Sequence, residues 1–225
     1  MRTKTTSAVI ICTFAASGAL ADIVPVSRDT SLTASWYQVD PPFPGSSGSA
    51  SDGTTSFNYF SNSINSGAGY SSQTSYLLTN GAYANASGSG YQGTSIMHPS
   101  GASGFSTFTY IFDLTSPATL YIIGSLDRGS PFIGYGAIEI YNAANTRVYQ
   151  ALGSSEFFAT STAIADTYAA AAGQYRFVVR GGNSGAGGGA PGGQSAARAF
   201  LTLPSPGAAS VLALGGLLAC RRRRA

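Results

Sequence analysis

The sequence predicts an all-β protein: a single β-sandwich, jelly-roll-like domain, flanked by an N-terminal signal helix and a short C-terminal hydrophobic helix. Three observations carry this. Apolar and polar residues alternate with period two through the second half of the chain, as strands with one buried face require. Gly, Pro and Asn clusters break these runs at short intervals, the spacing of a sandwich or jelly roll. Only 9% of the 225 residues are charged, against roughly 25% in an average soluble domain. That excludes a coiled coil, a basic nucleic-acid binder and the charge-rich kind of disordered chain. With 44% hydrophobic residues a core remains within reach.

The N-terminal end, residues 1–21, has the three parts of a secretory signal peptide in order. Arg2 and Lys4 are its positive region, and the apolar run is Ala8 to Ala16. Ala19 and Ala21 satisfy the small-x-small cleavage rule, so the mature chain is expected to begin at Asp22. In the exported segment, 22–203, the stretch from Pro41 to Ser106 is rich in Ser, Gly and Tyr and is expected to be partly irregular. Short strand-like fragments surround Phe57, Tyr59 and Ile64, then Tyr76 and Leu78. The pattern is clearer beyond it. Phe108, Tyr110, Phe112 and Leu114 share one strand face, and Leu120, Ile122 and Gly124 share the next. The short link between these two runs predicts a hairpin. Ile138 and Ile140 face inward on a further strand, with Arg147 to Tyr149 pairing back onto it. Ala-rich Ser161–Ala172 reads as a loop with one turn of helix. Tyr175, Phe177 and Val179 form one face of the next strand, and Gly181 to Gln194 is a Gly-rich loop. Ala199, Leu201 and Leu203 close the domain.

The tail, 204–225, is a separate unit. Pro204-Ser205-Pro206 ends strand pairing. Gly207 to Cys220 is 14 mostly small or apolar residues, roughly 21 Å as a helix, short of a ~30 Å hydrocarbon core. Arg221, Arg222, Arg223 and Arg224 form a stop-transfer cluster that stays cytoplasmic, and their snorkelling stems offset part of the shortfall. Such a segment holds a protein in the inner membrane transiently, until a cut is made before it. This order of proline motif, short Ala/Leu/Gly helix and terminal arginine cluster resembles the PEP-CTERM sorting signal. The resemblance covers about the last 22 residues and implies processing by an exosortase-like transpeptidase in bacteria that make exopolysaccharide. Ser205 stands where the family has Glu, a departure that bears on the processing bond rather than on the tail. Leu203 to Gly207 also resembles the Leu-Pro-x-Thr-Gly sortase signal, with Pro206 in place of Thr. The strands from Thr107 onward resemble, by pattern alone, exported β-domains that carry this tail.

Removing both ends changes the charge. Six arginines face nine acids in 22–203, giving −3 rather than the +3 of the whole chain, so a basic surface for nucleic acid is not expected. Cys12 and Cys220 both lie in the ends, leaving no disulfide and no thiolate metal site. His98 is the single histidine, in a loop-like context, so neither a metal nor a cofactor is expected. Glu139 and Asp113 lie on predicted strands, and glycoside hydrolysis would need such a pair to converge; both read as solvent-facing, and no catalytic residue is assigned. The run from Gly185 to Gly193 lacks the Gly-Lys-Ser/Thr and helix of a phosphate loop. Aromatics are the one positive feature. Trp36 and Tyr37 precede a Pro-rich turn, and Tyr59, Tyr70, Tyr83 and Tyr91 lie among small polar residues. Exposed rings stack on sugar faces, so Trp36 and Tyr37 are candidate glycan contacts; the competing reading places them in the core or half-buried in a sheet.

The expected function is that of an exported cell-surface or extracellular-matrix protein, non-catalytic, sorted through its tail. Its partners would be the secretion machinery, signal peptidase, an exosortase-like enzyme and exopolysaccharide. The alternative is a carbohydrate-binding or adhesive module.

Overall fold

A computed structural model describes residues 21–40, 43–92, 100–128, 134–153, 160–183 and 193–203. Those residues form twelve strands: β1 (Ile23–Asp40), β2 (Phe43–Thr54), β3 (Phe60–Ser66), β4 (Gly69–Leu78), β5 (Gly81–Gln92), β6 (Ser100–Leu114), β7 (Ala118–Arg128), β8 (Gly134–Asn142), β9 (Arg147–Leu152), β10 (Thr160–Ala170), β11 (Gly173–Asn183) and β12 (Gly193–Thr202). All pairings are antiparallel. One sheet, here sheet A, runs β2-β1-β6-β11-β8-β9; the other, sheet B, runs β3-β4-β5-β12-β7-β10. The two join where Tyr91 and Gln92 at the end of β5 pair with Ala102 and Gly101 of β6.

The alternating residues build the core between the sheets. Phe108, Tyr110, Phe112 and Leu114 of β6 meet Phe177 and Val179 of β11 and Ile138 and Ile140 of β8 from one side. Leu120, Ile122 and Leu126 of β7 with Ala197, Ala199 and Leu201 of β12 close it from the other. Phe108 meets Phe177 edge to face at 6.3 Å, while Tyr110 stacks on Phe112 at 5.3 Å and Phe112 on Tyr175 at 5.9 Å. Tyr110 is fully buried, and its hydroxyl has no hydrogen-bond partner among the described residues. Burial raises its pKa well above the ordinary phenol value of 10.0. Two consequences follow. At neutral pH Tyr110→Phe removes an unsatisfied polar atom, so it is expected to be neutral or to raise Tm by ~2–4 °C. Above about pH 10 the unfolded tyrosine ionises while the folded one stays neutral, so stability falls as pH rises, and the phenylalanine variant loses less. Melting curves of both proteins from pH 7 to 11 check the pair of effects.

The structure revises four expectations. β6 and β7 are not a hairpin: β6 lies in sheet A and β7 in sheet B, so residues 115–117 cross from one sheet to the other. Both strands are apolar on their core faces, as a hairpin would also be, so periodicity alone did not distinguish the two. Ser161–Ala172 is not loop and helix. Its first ten residues complete β10, which pairs with β7 from Thr160 to Ala170; Thr160, Thr162, Ile164 and Thr167 outweigh the helix preference of its alanines. Between 41 and 106 the described residues hold more strand than expected: β2 to β5 and the start of β6 occupy most of them, with 55–59 an irregular connection. Phe57 and Tyr59 lie in the β2–β3 connection, not on a strand, and are exposed. Between Gly181 and Gln194, β11 continues to Asn183 and β12 begins at Gly193.

The direction of the strands defines two poles. Asp22 sits at one of them, its amide donating to Thr115 Oγ1 at 2.9 Å just beyond the end of β6. Leu203 sits at the same pole: its amide donates to the Asn80 carbonyl at 2.9 Å, and its carbonyl accepts from Asn80 Nδ2 at 2.7 Å. Ile23, Leu114 and Leu203 are buried in the common core, with Ala21 and Ala118 packed against it. The opposite pole carries the ends of β1, β5, β7 and β11 and the starts of β6, β8, β10 and β12.

Candidate functional site

Three surfaces concentrate chemistry. The first is a cleft of about 480 Å³ at the pole away from Asp22 and Leu203, lined by Trp36, Tyr37, Gln38, Gly67, Ala68, Ser100, Gly101 and Ala102. Neighbouring strand residues point to opposite faces. Trp36 follows Leu32 and Ala34 on the inner face of β1, half-buried, and Tyr37 lies on the outer face at 42% exposure. A Cβ on Gly67 would stand 2.6 Å from the Trp36 ring, and one on Gly48 would stand 2.5 Å from its Nε1. Gly67, at φ +56°, also supplies the left-handed backbone that the β3–β4 turn needs. The indole therefore packs against backbone on two sides. Tyr37 lies over Gly101, where a Cβ would stand 2.6 Å from its ring. Of the two candidate glycan contacts, Tyr37 has the more open ring.

The second surface is a cross-strand aromatic row on the outer face of sheet B. Tyr59 stacks on Tyr76 at 6.3 Å, Tyr76 meets Tyr83 at 4.8 Å, and Tyr83 meets Phe200 at 4.5 Å. Phe200 pairs with Ile123, 53% exposed, which in turn pairs with Ala165. Centroids this close, tilted by 31° and 43°, mean that the rings overlap one another instead of lying flat on the sheet. Tyr76, Tyr83 and Phe200 cover one another and stabilise sheet B, while Tyr59, 66% exposed, leaves the end of the row open. Desolvation raises the Tyr83 pKa, partly offset by Arg198. The sequence shows Tyr59 and Tyr83 only as aromatics among small polar residues; the alignment of the row depends on a register between strands that no local pattern discloses.

The third is a charged cluster on the outer face of sheet A. Glu139 is not solvent-facing: it is 4% exposed, beneath Arg147 at 3.2 Å and Arg180 at 3.4 Å, and it accepts from Gln150 Nε2. Arg176 lies 4.4 Å over the Tyr141 ring and donates to Asn145 Oδ1 at 2.6 Å. A buried carboxylate held by two guanidiniums is a structural clasp, and half-exposed arginines of this kind contribute little elsewhere. Asp113 accepts from Gln174 on β11, whereas Glu139 pairs with Val178, four residues further along that strand. The offset is about 13 Å at 3.3 Å per residue, too far for the two carboxyls to flank one glycosidic bond.

Among the described residues no group of three His, Cys, Asp or Glu residues is placed to hold a metal, and no helix is long and apolar enough to cross a membrane. Ala21 is half-buried against the core. Ala19, His98, Pro204, Ser205, Pro206 and Arg221 to Arg224 lie outside the described residues, as does the side chain of Tyr91.

No family model matches the chain, and no curated protein matches it. Among solved structures, a chain from a structure of infectious bursal disease virus, Gx strain, is similar at a TM-score of 0.32 and 10% identity, over 83% of this chain and 57% of that one. The present chain thus spans little more than half the length of that neighbour.

Proposed function

We propose that the chain is an exported, non-catalytic protein of the bacterial cell surface or extracellular matrix. A jelly-roll-like β-sandwich covers 22–203, between a signal helix at 1–21 and a hydrophobic sorting helix at 204–225. The observation that carries this reading is the common pole of Asp22 and Leu203. Asp22, where the mature chain is expected to begin, and Leu203, just before the segment where the tail is expected to be cut, are each hydrogen-bonded to the folded domain, at the same end of it. A domain tethered there hangs from the membrane by one pole, with the Trp36–Tyr37 cleft turned outward, and a cut after Leu203 frees it without disturbing a strand. The proline motif Pro204–Pro206 would be read by an exosortase-like transpeptidase, and Arg221–Arg224 would hold the tail in the inner membrane until then. Ending the chain at Leu203 tests this. The truncated protein is expected in the soluble exported fraction, folded and full in yield. Retention in the membrane fraction would overturn the tether.

Tyr37 favours a second reading, in which the cleft takes a neutral saccharide against an exposed ring beside Gln38. Trp36 is the chain's single tryptophan, so its fluorescence reports occupancy directly. Titration with cellohexaose or maltohexaose is expected to shift the emission, and Tyr37→Ala to abolish the shift. No shift with either sugar would contradict this second reading and leave the tether intact.

A further inference from the structure

Among the described residues β10 pairs only with β7, and its other edge stands apart from the three other sheet edges formed there. An unpaired edge strand presents backbone donors and acceptors to any strand that fits, and proteins blunt such edges with Pro, charge, bulges or cover. β2 carries Pro44 and Asp52. β3 is only seven residues long and is tied across to β2 by Asn62 bonding Asp52. β9 is short, carries Arg147 and is bulged against β8 at Ile140/Tyr141. β10 is eleven residues long, pairs without a register break, and contains no Pro, Lys or Arg. Its one charge, Asp166, is held by the Tyr149 hydroxyl at 2.8 Å. Its outer-face residues, Ser161, Ala163, Ala165, Thr167 and Ala169, are small and exposed. The core is also least closed beside this edge. Of the eight half-covered hydrophobic residues that pack against it, five belong to β9 and β10: Val148, Tyr149, Ala151, Ile164 and Tyr168.

We propose that β10 pairs antiparallel with β10 of a second copy of this chain, about a two-fold axis at Ala165. The strand is its own complement in that register. Ala165 is the midpoint of Thr160–Ala170, so pairing there uses the whole edge. Ala163 then lies opposite Thr167 of the partner subunit, Ile164 opposite the partner's Asp166, and Thr162 opposite the partner's Tyr168. No like charges meet, and each pair shares a face. The union merges two copies of sheet B and covers the remaining exposure of Ile164 and Tyr168. The outer row that ends at Ile123 and Ala165 continues across the axis into its counterpart. A foreign strand would gain the same backbone bonds, but it would lack this matched register.

Cysteine crosslinking of the full chain in mild detergent, with Cys12 and Cys220 replaced by serine, tests the pairing. A short bis-maleimide is expected to link Ala165→Cys to itself, and to link Ala163→Cys to Thr167→Cys in a mixture but not to itself. Adding Ala165→Lys to that mixture sets two like charges face to face, and the linked yield is expected to fall several-fold. Unchanged melting temperatures of the single variants show that each still folds. Linking no greater than that of Ser51→Cys on β2, or linking of Ala163→Cys chiefly to itself, would overturn the proposal.

Discussion

Gly88→Val is expected to unfold the domain. β5 narrows toward the pole of the Trp36–Tyr37 cleft, running from Ala82, Ala84 and Ala86 to Gly88 and Gly90, all buried. There the two sheets touch through their backbones. A Cβ on Gly88 would fall inside van der Waals contact of the Gly104 carbonyl and lie 3.0 Å from Gly182 Cα, and one on Gly181 would strike the Ala86 carbonyl. Flexible side chains can yield, but these neighbours are backbone fixed in two sheets, so both sheets must part. Ordinary overpacking costs about 1–3 kcal/mol. Valine here is expected to cost more than ~4 kcal/mol, the range reserved for a disrupted core, out of a total stability of about 5–15 kcal/mol. Gly153→Ala is the control, since the nearest atom to its added Cβ is 3.8 Å away; it is expected to leave urea unfolding unchanged within about 0.5 kcal/mol. A well-folded Gly88→Val protein would show that the sheets do not meet as described.

Arg28→Ala is expected to cost ~3–5 kcal/mol, the second large effect, through lost packing and orphaned acceptors together. Among the described residues Arg28 is the largest fully buried side chain, 1% exposed, on the inner face of β1. Its Nη1 donates to the carbonyls of Ser56, at 3.0 Å, and of Asn58. Its Nη2 donates to the Ser75 carbonyl at 3.1 Å and hydroxyl at 2.6 Å. The guanidinium also lies 5.7 Å over Phe108. It thereby pins the β2–β3 connection to β4 and fills the space between them. Desolvation lowers its pKa, yet the fan of carbonyls keeps a cation acceptable without a carboxylate. Arg28→Met keeps most of the volume and removes the buried charge, so it is expected to cost less than alanine, ~1–3 kcal/mol, from the carbonyls left unpaired. Arg28→Lys is expected to fall between the two, because one ammonium cannot span both groups of acceptors. Urea unfolding of the three variants gives the order; a methionine variant as stable as the parent would mean that the bonds contribute nothing beyond packing, and equal losses for alanine and methionine would mean that packing contributes nothing beyond the bonds.

These two sites also show why half of the fold was legible and half was not. Around β6, β7, β8 and β11 the buried face is Phe, Tyr, Leu and Ile, so period two is visible in the residues themselves. Around β4 the same alternation exists, but its buried residues are Ser71, Gln73 and Ser75. Ser106 donates to Gln73, which donates to Ser75, itself a partner of Arg28. A polar inner layer satisfied by its own hydrogen bonds leaves no hydrophobic signal, and on β5 the signal shrinks to alanine and glycine. β10 misled for a related reason, because an edge strand with small side chains shows no apolar stripe. At the candidate site, Trp36 and Tyr37 were visible as residue types, but which ring stayed open was decided by Gly48, Gly67 and Gly101. Glu139 was visible as a carboxylate, whereas its place under Arg147 and Arg180 came from strands β8, β9 and β11 meeting in register.

The tether is tested most directly by the intact mass of the native protein from separated cell fractions. The account predicts a released or envelope-bound species that begins at Asp22 and ends between Pro204 and Gly207, with or without an adduct at its new terminus. A membrane species running through Ala225 as the final form would contradict it and make the tail an ordinary anchor.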